Sequence, residues 1–340
     1  MSSFSSSTFA LGPIIALLMQ GDGRSSSYVP ASYVKWIEMA GARVIPLPYH
    51  ATDDDVDALF PQVNGALFPG GGSDVPRAAR RMYEKAVEAH KAGDHFPIWG
   101  TCDGFEWLMQ IASGNDGILS QGFDSENISL PLNFTAAATT SALFADAQIA
   151  PVLGSSPKMN VMQAFGKLPI TLNNHMQGVT PSDFASSSAL VQSFRVLATN
   201  VDRAGKEFVS VVEGRAGLPI FATQFHPEKN IFEQGVQDGT DIPYEAIAHS
   251  RAAVAASQYM ANFFIEQARR STHRFTSPEK EWSRLIYQYN TSTFMAPAFT
   301  QVYYIDEANK TGGASEDAGP ERVGTAGGAT RHSHSGLDAF

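Results

Sequence analysis

The sequence predicts an α/β fold: a doubly wound, flavodoxin-like, mostly parallel sheet with helices on both faces. Three observations carry this. Short, continuously apolar runs such as Pro13-Ile14-Ile15-Ala16-Leu17-Leu18-Met19 suit parallel strands covered on both faces. Such runs alternate with amphipathic segments up to residue 108, the β-α-β-α pattern of a doubly wound sheet. Glycine-rich turns follow the third and fourth strands, at the carboxyl edge where ligands of such sheets bind.

In chain order, residues 1–10 are Ser-rich and expected to be loose, and residues 11–307 form the domain. After the first strand, a loop from Gln20 to Ser27 leads to a helix over Tyr28 to Ala40, which Gly41 terminates. Ala42 to Leu47 is the second strand. Thr52 caps a helix whose first turn holds Asp53, Asp54 and Asp55, acids that the helix dipole explains without a metal. Gly65 to Pro69 is the third strand and runs into Gly70-Gly71-Gly72, where backbone N–H groups can approach an anion closely. An exposed helix over Arg77 to Lys91 precedes the fourth strand, Phe96 to Trp99. From Ser113 to Gln177 the pattern weakens, with a strand at Leu130 to Phe134, helical stretches in Ala136 to Ala150 and a short strand at Ile170 to His175. Phe194–Thr199 and Phe208–Glu213 pair as a hairpin, and Ile220 to Phe225 is the next strand. A long helix over Ile247 to Arg270 follows, then a helix or strand at Trp282 to Tyr289 and a closing strand at Thr300 to Ile305. Residues 308–340 are Gly-, Ala-, Ser- and Thr-rich and expected to be disordered, and His332 and His334 there make a weak metal motif at best.

Gly100-Thr101-Cys102-Asp103-Gly104 sets the chain's one cysteine between a strand and an amphipathic helix. This is the cysteine form of a nucleophile elbow: small flanking residues allow a sharp turn that exposes the reactive atom above the sheet. The helix dipole at that position favours thiolate. A thiol nucleophile needs a base to activate it and an acid to release the leaving amine. Of nine histidines, His226 ends an apolar strand and is followed by Glu228, which can hold the far ring nitrogen and fix its tautomer.

A formal net charge of −10 argues against nucleic acid or an acidic membrane as the main partner. No apolar run reaches the roughly 18 residues that a spanning helix needs. No basic residue precedes the apolar run from Phe9 to Met19, which is read as a strand rather than as the core of a signal peptide. One cysteine excludes an internal disulfide. Four sequons, at Asn127, Asn133, Asn290 and Asn309, matter only in a secreted chain.

Gly-Thr-Cys-x-Gly-Phe-Glu at residues 100–106 and Gln-Phe-His-Pro-Glu-Lys at 224–229 resemble the gamma-glutamyl hydrolases, of peptidase family C26 and the class I glutamine amidotransferase-like fold. Blocks in the same order extend the likeness over residues 12–306, among them Ala31-Ser32-Tyr33-Val34-Lys35, Leu67-Phe68-Pro69-Gly70-Gly71 and Pro131-Leu132-Asn133-Phe134-Thr135. The resemblance implies hydrolysis of gamma-glutamyl isopeptide bonds in poly-gamma-glutamyl folates, without metal or cofactor. It further implies a homodimer in a lysosome or vacuole or outside the cell, although without a visible signal peptide a cytosolic place stays open. Carried onto this chain, Cys102 is the nucleophile, His226 the proton shuttle and Glu228 its orienting carboxylate. The oxyanion is expected between the backbone N–H groups of Gly71 and Asp103, and His175, Glu106 and Tyr33 are expected to bind substrate.

Glu106 stands where glutamine amidotransferases usually have glutamine, and by position alone it would be a solvated first-turn residue. Asp103 replaces the apolar residue usual after the family's cysteine, and a carboxylate there tends to raise the cysteine pKa. Met176-Gln177 stands where a tryptophan is common. Two other readings remain: a glutaminase domain that serves a synthase partner, and a catalytically silent binding protein.

Overall fold

A computed structural model describes residues 11–23, 26–155, 158–237, 239–292 and 298–306. The expected loose N-terminus and tail, with His332, His334 and the Asn309 sequon, lie outside the described residues.

Ile14–Leu18 is buried along its whole length. Its residues alternate between two cores: Ile15 and Leu17 join Trp36, Trp99 and Phe264 on one face, while Ile14, Ala16 and Leu18 join Met82, Phe105 and Trp107 on the other. A strand between two apolar layers has no polar face, and this accounts for the unbroken apolar run. Arg43–Leu47, Ile14–Leu18, Gly65–Phe68, Ile98–Thr101 and Ile220–Thr223 lie side by side in that order, all parallel. Glu207–Gly214, Phe194–Val201 and Asn133–Phe134 extend the sheet antiparallel to eight strands. The doubly wound expectation and the hairpin both hold. The layers come from the helices Ala31–Glu38, Asp53–Leu59, Arg77–Lys91, Asp103–Ser113 and Arg251–Ala268. In the acidic run, Thr52 and Asp55 form a reciprocal capping box, and Asp53 and Asp57 pair with Arg77 and Arg81.

Two expectations are corrected. The expected helix from Tyr28 begins only at Ala31, because Ser26–Pro30 is a strand paired with Val302–Asp306 and with Gln20–Gly21. Tyr28 and Val29 suit a pleated surface, and the residue before Pro30 is driven toward extended backbone. The closing strand therefore belongs to this small antiparallel sheet and not to the central one. The strand expected over Leu130 to Phe134 is divided: Ser120–Leu130 pairs with Thr171–Gly178 in a two-stranded sheet, and Asn133–Phe134 joins the central edge. Pro131 has no N–H to offer a ladder at the division.

Candidate active site

The strand Ile98–Thr101 ends at Cys102, whose backbone adopts φ 52° and ψ −108°. An L-residue holds positive φ at a cost, and only where its surroundings over-determine it. Those surroundings are visible: the Cys102 N–H donates to Thr223 O at 2.8 Å, and its C=O accepts from the Glu106 N–H at 3.0 Å, inside the next helix. A Cβ on Gly104 would lie 2.0 Å from the Phe68 carbonyl oxygen, and one on Gly100 2.7 Å from the Gly104 oxygen. The elbow closes only because neither residue has a side chain.

Thr223 lies opposite Thr101 in the neighbouring parallel strand, so the two chains leave the sheet together, one carrying Cys102 and the other His226. His226 Nδ1 is 2.8 Å from Glu228 Oε1, and both side chains are buried. With Nδ1–H donating to that carboxylate, Nε2 is the basic nitrogen. The Gly70 turn lies against both groups: a Cβ there would be 2.6 Å from His226 Cε1 and 3.2 Å from Cys102 Cβ. Tyr33 is buried, its hydroxyl accepts the Gly70 N–H at 2.7 Å, and it lies 3.4 Å from His226 Nδ1. Its hydroxyl is thus engaged with the turn and the histidine. Burial first, then the charge of Glu228, holds the Tyr33 phenol well above its usual pKa.

The pull of the helix dipole toward thiolate is opposed at Cys102. Burial pushes the Cys102 thiol well up, Glu106, Asp103 and Glu228 add to the rise, and the Asp103 N–H opposes it. The Cys102 Sγ lies 4.0 Å from the Asn174 carbonyl oxygen. The next residue, His175, donates Nδ1–H to Gln177 O at 2.7 Å and packs edge-on against Phe208. Burial lowers its pKa to about 4. The ring is therefore neutral, and its buried Nε2 has no partner among the described residues. Such a nitrogen can accept a substrate N–H.

Glu106 is 2 % exposed, so it is not a solvated first-turn residue. Gln224 Nε2 donates to one of its oxygens at 2.9 Å and Gln177 Nε2 to the other at 2.7 Å. Burial, with Asp103 nearby, raises its pKa well above the carboxylate range. The Asp103 carboxyl is likewise buried and raised to about 7, against hydrogen bonds from Gln20 and the Ser73 N–H. Gly71, the expected oxyanion donor, sits on the exposed side of the glycine turn. A cleft of about 200 Å³ runs from this turn past Asp103 to Gln177. Among the described residues no group of three or more His, Cys, Asp or Glu side chains is placed to hold a metal ion.

The family model for peptidase C26 matches residues 16–228. The chain belongs to the peptidase C26 family. It is 36% identical over 304 residues to gamma-glutamyl hydrolase B of Dictyostelium discoideum, covering 86% of this chain and 82% of that protein. It is also 36% identical over 307 residues to the gamma-glutamyl hydrolase of Homo sapiens, covering 86% and 90%, and 34% identical over 289 residues to gamma-glutamyl hydrolase 1 of Arabidopsis thaliana, covering 82% and 77%.

In this C26 chain, sequence reasoning brought together Cys102, His226, Glu228, Gly71, Asp103, His175, Glu106 and Tyr33, and missed Gln20 and Gln224. Gln224 lies two residues before His226, and Gln20 directly follows the first strand and Met19. A search of polar residues just beyond apolar strands would have found both.

Proposed function

We propose that this chain hydrolyses gamma-glutamyl isopeptide bonds, those of poly-gamma-glutamyl folates foremost, through a thioester on Cys102. The observation that carries the reading is the strained Cys102 backbone at a strand-to-helix elbow, beside the buried His226–Glu228 pair. Because burial and three carboxyl groups keep Cys102 a thiol, its proton passes to His226 Nε2 as sulfur attacks the gamma-carbonyl carbon. Glu228 holds the resulting imidazolium in place. The carbonyl oxygen gains charge between the N–H groups of Gly71 and Asp103, where preorganised dipoles act without reorganising. Collapse breaks the C–N bond, His226 returns its proton to the leaving amine, and a glutamyl thioester remains. His226 then takes a proton from water, whose oxygen attacks the thioester, and the acid leaves as Cys102 regains its proton.

The relatives named gamma-glutamyl hydrolase support the substrate class. The test is chromatography of the products from a pteroyl-poly-gamma-glutamate with wild type and Cys102→Ala, free glutamine being run in parallel. Loss of the nucleophile is expected to lower the rate by about 10³-fold or more. Turnover of free glutamine alone would favour the glutaminase reading, and turnover of neither by folded wild type would leave a binding protein.

A further inference from the structure

A turn of three consecutive glycines has little of its own to fix its conformation, yet an oxyanion donor acts only if held within about 0.5 Å of its working position. The holding group must come from elsewhere. Gln20 is fully buried in the short strand Gln20–Gly21. Its Nε2 donates to Pro69 O at 3.2 Å, and its Oε1 accepts the Ser73 N–H at 3.2 Å. Pro69 precedes the three glycines and Ser73 follows them, so one side-chain amide grips both ends of the turn. The same Nε2 donates to Asp103 Oδ2 at 3.0 Å, which ties the turn to the elbow. The amide also lies where a Gly71 side chain would be, 2.2 Å from its Cβ position to Gln20 Cδ. Ser73 is held independently, its Oγ exchanging hydrogen bonds with the Gly21 N–H and C=O and its C=O accepting from Trp107 Nε1.

We propose that Gln20 is a positioning residue for oxyanion stabilisation, a bracket that sets the Gly71 N–H over the carbonyl attacked by Cys102. Only an amide meets all three contacts, because they need a donor and an acceptor on one short, planar head. A methionine fills the space without the bonds, and a glutamate turns the donor into a second acceptor facing the Pro69 carbonyl and the Asp103 carboxyl. The proposal rests on the hydrolase reading above.

The test compares Gln20→Met with wild type in steady-state hydrolysis of pteroyl-triglutamate and in alkylation of Cys102 by iodoacetamide, a reaction that builds no oxyanion. Removing an oxyanion donor costs about 10²–10³ in kcat, so a loosened donor is expected to cost about 30-fold, with KM and the alkylation rate within about 3-fold. A kcat within 3-fold of wild type overturns the proposal, as does an alkylation rate that falls in step with kcat, since the defect would then lie in the nucleophile or the fold. Gln20→Glu gives a second reading: it is expected to lose more than Gln20→Met. Adding Asp103→Asn, whose Nδ2 can donate to the new carboxylate, is expected to recover about tenfold beyond whatever Asp103→Asn alone changes in the otherwise wild-type chain, by restoring one such bond. No recovery overturns the bracket. Absence of turnover in wild type is a separate result, which removes the hydrolase reading and the bracket with it.

Discussion

Asp103 and Glu106 set two carboxyl groups within one helical turn of a thiol that must lose its proton. The effect of Asp103 depends on pH. Asp103 titrates near 7 in its buried place; below that pH it is neutral and does not oppose a thiolate, and above it the charge does. Asp103→Asn removes that charge only where it exists. Iodoacetamide should therefore alkylate variant and wild type at equal rates near pH 5.5, and the variant about 3- to 10-fold faster near pH 8.5, since one pKa unit is a factor of ten in thiolate. Equal rates at both pH values would show that Asp103 does not govern the thiol. The division between legible and illegible residues follows the same physics. Cys102, Gly100 and Gly104 were readable because an elbow is made by five adjacent residues, and His226 with Glu228 because only Pro227 separates them. Gln20, Gln177 and Gln224 find their partners 83, 71 and 118 positions away. An amide with donor and acceptor on one head carries no sign of which distant carboxyl it will meet.

The elbow works as an element because a helix returns against the strand that feeds it with no room for a methyl group. At Gly104 the obstacle is the Phe68 carbonyl, backbone that cannot rotate away. Gly104→Ala should cost about 3 kcal/mol or more, at the upper end of overpacking penalties. Gly93 is the control: its φ is 79° but nothing lies within 4 Å of an added Cβ, so Gly93→Ala should cost about 1 kcal/mol from backbone strain alone. Urea denaturation of both variants checks the pair, and equal midpoints would mean that helix and strand can separate freely. Legibility at this scale follows burial. Strands enclosed on both faces, Ile14–Leu18 and Gly65–Phe68, show as unbroken apolar runs. Ser120–Leu130 lies largely exposed, and its residues carry no apolar period from which a strand could be read. Its partner Thr171–Gly178, 41 or more residues on, supplies the ladder that makes it one.

Across the whole molecule, the two cores hold the central sheet, and the segment after His226 ties that sheet to the two-stranded sheet. Lys229 and Glu245 anchor it as a buried ion pair, with Nζ 2.6 and 2.7 Å from the two carboxylate oxygens and both side chains under 5 % exposed. Glu245 also accepts from Asn174 Nδ2 at 3.2 Å, the residue whose carbonyl faces the Cys102 sulfur. Two further contacts fasten the same stretch, Ala246 N–H to Asn127 Oδ1 and Ser129 Oγ to Ala246 O. Removing one member of a buried pair leaves the other charge without compensation, typically at about 3–5 kcal/mol. Lys229→Met should therefore lower the urea midpoint by that equivalent. Lys229→Met with Glu245→Leu should recover most of the loss, because a packed apolar pair of similar size is often as stable as the ions it replaces. Only the double variant loses the hydrogen bond from Asn174 to Glu245, so it should recover stability without recovering activity to the same degree. A double variant no more stable than the single one would mean that losing the Asn174 hydrogen bond costs as much as relieving the stranded charge returns.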